Sequence, residues 1–178
     1  LYLTNFIQGF YDNVNNKMTT DTVQLILRSR NYPYSVIDSS KSLLDTNGKG
    51  AFGFSNIVLG DSVYIVIKHR NSIETWSSMP IFINNSITQY DFSESASKSY
   101  GNNMIQVDTG PNKFATYSGD VNQDQTVDGT DLSLIANDAF VYTTGYVVTD
   151  ITGDDFVDGN DFAIADNNAS EFVSAILP

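Results

Sequence analysis

Apolar and polar positions alternate through the first 110 residues with the period of two that marks half-buried strands. Thr22–Arg28 reads TVQLILR and sets Val23, Leu25 and Leu27 on one face. Ser62–Lys68 reads SVYIVIK; Val63, Ile65 and Ile67 share a face, and the opposite face is also largely apolar, as in a central strand. Leu1–Tyr11, Ala51–Phe54, Ile73–Trp76, Ile81–Ile83, Ile87–Phe92 and Met104–Val107 give further short strands. Turn-forming residues separate them at Asp12-Asn13, Asn31-Tyr32-Pro33, Thr46-Asn47-Gly48, Leu59-Gly60-Asp61 and Asn84-Asn85. Many short strands at this spacing, with no helical period among them, predict an antiparallel β-sandwich over 1–110.

The pattern changes after residue 118. Shifted by 30 positions, the tail overlays itself: DVNQDQTVDGTD (120–131) lies over DITGDDFVDGND (150–161). Asp recurs at positions 1, 5, 9 and 12 of both copies, Val127 and Val157 share position 8, and Gly129 and Gly159 share position 10. The copies stay in step through Asn137/Asn167 and Ala139/Ala169, so the tail is an internal duplication. Calcium takes about seven oxygens at roughly 2.3–2.6 Å, and a tight loop of about 12 residues supplies them from alternate positions. In such a loop positions 1, 3 and 5 offer side-chain oxygens. Position 7 (Thr126, Phe156) offers its carbonyl, position 9 binds directly or through water, and position 12 closes the shell from the following helix. Oxygen donors without His or Cys fit calcium rather than zinc or copper. The apolar position 8 predicts a short β contact between the paired loops.

Charge sharpens the division. All nine Lys and Arg lie at or before Lys113, where nine acids balance them; the other twelve acids fall after it, so the net charge of -12 belongs to the tail. An apolar-rich segment with that charge repels itself unless a cation neutralises it. The pI near 4.1 excludes a nucleic-acid binder. Zero Cys excludes disulfides and thiolate metal sites. No run approaches the roughly 18 apolar residues of a membrane span. The start at Leu1 rather than Met is what a processed chain would show.

GDVNQDQTVDGTDLSLI and TDITGDDFVDGNDFAIA resemble the duplicated calcium-binding segments of type I dockerins, over residues 119–178. That family uses an EF-hand-like loop with Asp at position 12, followed by one helix. The resemblance implies two Ca2+ ions. The first would be held by Asp120, Asn122, Asp124, Thr126, Asp128 and Asp131, the second by Asp150, Thr152, Asp154, Phe156, Asp158 and Asp161. The chain departs from the family at several points. Position 6, commonly Gly, is Gln125 and Asp155, and Thr152 replaces the usual Asn or Asp at position 3, which weakens the second site. Gly129-Thr130 and Gly159-Asn160 stand where cohesin-binding dockerins carry Ser-Thr, and no basic residue follows. The strand layout of 1–110 resembles transthyretin-like or CnaB-type surface sandwiches.

Other motifs carry less. Gly48–Gly53 matches GxGxxG but follows a turn and enters a strand, where a dinucleotide loop must open a helix. His69, the only histidine, ends a strand, and no G-x-S-x-G elbow accompanies it. Trp76 with the many Tyr and Phe would suit a sugar-stacking face, and equally suits strands. The expected architecture is therefore a mainly β chain: a sandwich at 1–110, a linker at 111–118 and a small α-helical, dockerin-like calcium module at 119–178. The expected function is a secreted, non-enzymatic assembly protein at a bacterial-type cell surface, with a protein partner. Copies of the chain itself are one such partner, since an apolar Leu1–Tyr11 strand could pair with a neighbour's open edge and build a fibre. The alternatives are a dockerin anchored to a cohesin scaffold and a carbohydrate-binding module.

Overall fold

The computed structural model describes residues 1–56, 59–84 and 88–178, so Ile87 and the Asn85 half of one expected turn lie outside the described residues. Among the described residues thirteen strands and two α-helices follow in order. The strands are β1 (Tyr2–Thr4), β2 (Phe6–Ile7), β3 (Tyr11–Asp12), β4 (Lys17–Met18), β5 (Asp21–Ser29), β6 (Val36–Leu44), β7 (Lys49–Ala51), β8 (Ser62–Lys68), β9 (Thr75–Trp76), β10 (Ile81–Phe82), β11 (Gln89–Asp91), β12 (Ile105–Thr109) and β13 (Asn112–Thr116). The helices are α1 (Gly129–Phe140) and α2 (Gly159–Ser170). The fold is mainly β, built of open sheets.

The largest sheet runs β10-β8-β5-β6, with β9 also on β8, and every pairing in it is antiparallel. Its alternation works as the sequence predicts. Val23, Leu25, Leu27, Val63, Ile65 and Ile67 enter the main core, while Ile26, Tyr64 and Val66 form a second cluster with Trp76 on the opposite face. β6 is a strand that the alternation does not announce. Its VIDSSKSLL carries serines and charges because it is an edge strand with alternate residues open to water.

The small sheets β11-β1-β7 and β12-β13-β2 cover the other side of the core with Leu3, Phe6, Ile7, Phe92 and Ala115. Here an all-antiparallel sandwich is corrected: β1 runs parallel to β11, and β2 runs parallel to β13. The first residues insert between segments from far along the chain, and that long connection permits parallel pairing. Leu1–Tyr11 is accordingly broken into β1, β2, a 3-10 turn and the start of β3, each satisfied within its own chain. In the single chain the first strand therefore pairs with its own sheets. Residues 111–118, expected as a linker, hold β13 and its ladder to β2 and β12.

Gly48–Gly53 makes a turn into β7, with no helix before β8 among the described residues; Gly48 has φ 71 and sits against the Asn5 carbonyl, where a Cβ would come within 2.4 Å. Trp76 is buried, with Nε1 donating to Glu74 Oε1 at 2.9 Å, so it cannot stack on a sugar.

Beyond β13 the chain forms two loop–helix units around a third cluster. Val121 and Ile151 (position 2), Val127 and Val157 (position 8), Ile135 and Ala165 from the helices, and Val173 meet there, joined by Ile73 from the β region.

Candidate metal centre

Each twelve-residue loop closes on its own last carboxylate. Asp131 Oδ1 accepts N–H bonds from Val121 and Asn122 at 2.9 and 3.1 Å, and Oδ2 accepts the Asp128 N–H at 3.0 Å. Asp161 repeats this with Ile151, Thr152 and Asp158 at 2.8 Å each. The first carboxylate holds the turn from the other end. Asp120 accepts from Asp124 and Gln125, while Asp150 accepts from Gly153, Asp154 and Asp155. Asp128 and Asp158 cap α1 and α2 and form capping boxes with Asp131 and Asp161. Asp124 and Asp154 accept the N–H of Thr126 and Phe156, the residues at position 7.

Positions 4 and 6 turn left-handed in both loops: Gln123 and Gln125 at φ 62 and 78, Gly153 and Asp155 at φ 73 and 66. A tight loop needs that conformation whatever the side chain. At Gln125 its cost is offset by contacts, because Oε1 accepts the Glu74 N–H at 3.1 Å and its carbonyl accepts from Ala175.

The expected contact between the two loops is replaced by an exchange. Thr126 bridges Ser174 and Val127 N–H donates to Val173, so loop 1 pairs with the segment after α2. Phe156 bridges Thr144 and Val157 N–H donates to Thr143, so loop 2 pairs with the segment after α1. The position 8 valines thus face the shared core rather than each other across a ladder.

Asp120, Asp131, Asp150 and Asp161 are at most 1% exposed. Burial pushes Asp120 up to about 6, and the charges of Asp131 and Asp124 add to the rise against the N–H bonds it accepts. Burial also raises Asp131 and Asp150; at Asp150 the Gly153 N–H and Arg70 pull the other way. Among the described residues no three His, Cys, Asp or Glu side chains are gathered in a group that could hold a metal ion. The carboxylate oxygens face backbone N–H groups instead. In donor chemistry and enclosure the residues do fit a hard cation. Each loop buries two carboxylates, the tail brings no Lys or Arg, and among the described residues neither Asp120 nor Asp131 has an ion pair.

The β region meets the units through a polar network that sequence reasoning missed. His69 is buried, with Nδ1 3.2 Å from Ser72 Oγ and Nε2 3.1 Å from Asp21 Oδ2. These are the partners of a Ser–His–Asp triad, yet Ser72 is 1% exposed and no acyl group can reach its oxygen. Burial lowers the His69 pKa, so the ring is neutral, with Asp21 opposing the shift. Asp21 also takes the Tyr146 hydroxyl at 2.7 Å and Arg70 Nε at 3.0 Å; despite its burial these bonds hold it well below the usual carboxylate range. Arg70 Nη2 then reaches Asp150 Oδ2 at 3.5 Å, and Asn71 Nδ2 donates to the Asp150 carbonyl at 2.8 Å. The adjacent polar residues His69-Arg70-Asn71 were the only sequence signal.

No protein-family model and no curated protein sequence matches the chain. Two crystal structures of the type II cohesin–X–dockerin complex from Acetivibrio cellulolyticus contain a chain of similar fold. In the C-terminal interface mutant the identity is 14% and the TM-score 0.50; in the N-terminal interface mutant they are 13% and 0.51. Each likeness covers 96% of this chain and 99% of the other. At such identity it is a likeness of fold.

Proposed function

We propose that the chain is a calcium-dependent, non-enzymatic assembly module that works outside the cell by binding another protein. The observation that carries this reading is the pair of loop–helix units with Asp at positions 1, 5, 9 and 12, whose first and last carboxylates are buried. Asp131 and Asp161 staple loop start to loop end, while Asp120 and Asp150 hold the inner turn. Asp124 and Asp154 accept the N–H groups of Thr126 and Phe156, the residues at position 7. When bound, calcium would add positive charge among these enclosed carboxylates, held by the six residues of each loop given above. Its binding then favours the folded tail over the unfolded one.

Two observations support a protein partner. Phe140 at the end of α1, Tyr142 just beyond it and Phe172 after α2 are 84, 74 and 87% exposed, and Tyr142 and Phe172 hold equivalent places 30 residues apart, both at φ 55. Aromatic rings left open at equivalent places of a repeat suit contact with another protein. The fold likeness also runs along nearly the whole of a chain from a cohesin–X–dockerin complex, so dockerin-like anchoring to a cohesin-type scaffold gains on fibre formation through an exchanged first strand.

Calorimetry should show two calcium ions binding per chain at or below millimolar concentration, and a cohesin panel should yield a partner only in calcium. Absence of any calcium heat at millimolar concentration would overturn the metal reading. A chain that binds calcium yet captures no cohesin, and forms polymers by light scattering, would return the partner to a second copy.

A further inference from the structure

The two loops do not meet the β region alike. Loop 1 touches it through neutral amides: Gln123 Nε2 donates to the Ser72 carbonyl at 3.3 Å, and Gln125 Oε1 accepts the Glu74 N–H at 3.1 Å. Loop 2 also takes one neutral amide, Asn71 Nδ2 on the Asp150 carbonyl, but it alone is met by a cation, Arg70, at the carboxylate that opens the loop. The guanidinium is fixed from several sides. Its Cζ lies 4.4 Å from the Tyr146 ring centre and 5.4 Å from that of Phe10, and Nε holds Asp21 Oδ2 at 3.0 Å. Nη1 is buried and has no hydrogen-bond partner among the described residues.

We infer that Arg70 makes the two loops unequal as calcium sites, so that loop 2 takes its ion more weakly than loop 1. This rests on the metal reading above. An ion entering loop 2 must draw Asp150 away from a fixed positive charge 3.5 Å off, and then reside beside that charge. Loop 1 imposes no such competition, since Asp120 has no ion pair among the described residues. Arg70 can release Asp150 without becoming an unpaired buried charge, because Asp21 keeps its Nε. Loop 2 is therefore the site whose filling is coupled to the contact between the β region and the tail, through a carboxylate that both want.

The two loops can be read separately in one titration of the full chain. Gly129 and Gly159 occupy position 10 of loops 1 and 2, and their amide NMR signals report each loop as calcium is added. In the unaltered chain Gly129 should respond first. Arg70→Gln should move the Gly159 response to calcium concentrations lower by about tenfold and leave that of Gly129 within about twofold. Asp21→Asn should act in the opposite sense, because it leaves the guanidinium wholly to Asp150. Thr152→Asn tests the competing explanation, that the poorer donor at position 3 alone sets the gap. If that substitution equalises the loops while Arg70→Gln leaves the Gly159 response unmoved or weakens it, the inference falls. If neither glycine responds up to millimolar calcium, the metal reading falls, and the inference with it. Responses in both glycines with equal midpoints in the unaltered chain overturn the inference alone.

Discussion

Loop 1 leans on the β region with the side chains of Gln123 and Gln125, while loop 2 presents Gly153 and Asp155 at the same positions and is met by Arg70 instead. Inside the loops the side chain at position 3 changes, Asn122 to Thr152, but the framework is kept. Each keeps the same left-handed turns at positions 4 and 6, the same three N–H bonds to its last Asp and the same capping box. Divergence has collected where each copy faces the sheets. At Gly153 the reason is steric, since a Cβ there would lie 2.4 Å from the Phe10 ring. At Gln123 the longer side chain reaches a carbonyl of the β region. A duplicated unit docked twice on one asymmetric surface must meet two different surroundings, so residues equivalent in the repeat cannot all be equivalent in the fold.

The largest effect should come where the loops are alike. Asp131→Ala and Asp161→Ala each leave three backbone N–H groups without an acceptor, and each should cost about 3–5 kcal/mol by urea unfolding. Each should also remove one calcium-binding step. Near-equal losses would confirm that the loops close in the same way, and a loss under about 1 kcal/mol at either would break the equivalence.

Gly9→Ala should separate them. A Cβ at Gly9 would fall 2.2 Å from the Ile151 carbonyl, so loop 2 must shift, at about 2–3 kcal/mol, while loop 1 is untouched. Hydrogen exchange should quicken at the Ile151 and Thr152 amides and stay unchanged at those of Val121 and Asn122. Equal quickening in both loops would show that the units move together.

Acidity offers a third comparison in metal-free protein. Asp120 has a folded pKa of about 6 against 3.8 unfolded, so between those values the folded state binds more protons and stability falls as pH rises. Lowering the pH from about 7 to about 4.5 should therefore stabilise the chain, by on the order of 2 kcal/mol from this group. Below that range Asp21 works the other way: its folded pKa is depressed, so its contribution is lost on further acidification. Asp120→Asn should flatten the rise. A melting temperature that falls steadily from pH 7 to pH 5 would contradict the burial of an uncompensated charge in loop 1.

The smallest difference lies at position 6. Gln125→Asn keeps a residue that tolerates positive φ but draws the amide back from the Glu74 N–H, and should cost about 1 kcal/mol. Asp155→Asn, at an exposed site, should stay within about 0.5 kcal/mol of zero.

Much of this was legible along the chain. Val23, Leu25 and Leu27 and their counterparts in β8 share a face because successive side chains of a strand alternate sides, and as central strands β5 and β8 are apolar on both. β6 was illegible for the converse reason: an edge strand exposed on alternate residues has no apolar period to show. β13 was lost in the same way, as NKFAT looks like connecting chain until β2 pairs with it. The repeat located the helices, because position 12 falls in the first turn after each loop; the capping boxes at Asp128 and Asp158 emerged with the structure. It could not foretell that position 8 of each loop would answer to the segment after the other helix. Nor could it place Arg70, which lies 80 residues from the carboxylate it meets.

The sequence by itself determined the core-facing sides of β5 and β8, where the charge gathers, and that two equivalent acidic loops each open a helix. Those properties arise from interactions within a few residues, where alternation, capping and φ preference act. Only the tertiary structure decided that the first residues run parallel to late strands, that His69, Ser72 and Asp21 close into a sealed cluster, and that the two loops differ in their neighbours. Those outcomes depend on which distant surfaces meet once the core is buried, and burial is scored by total area rather than by order along the chain.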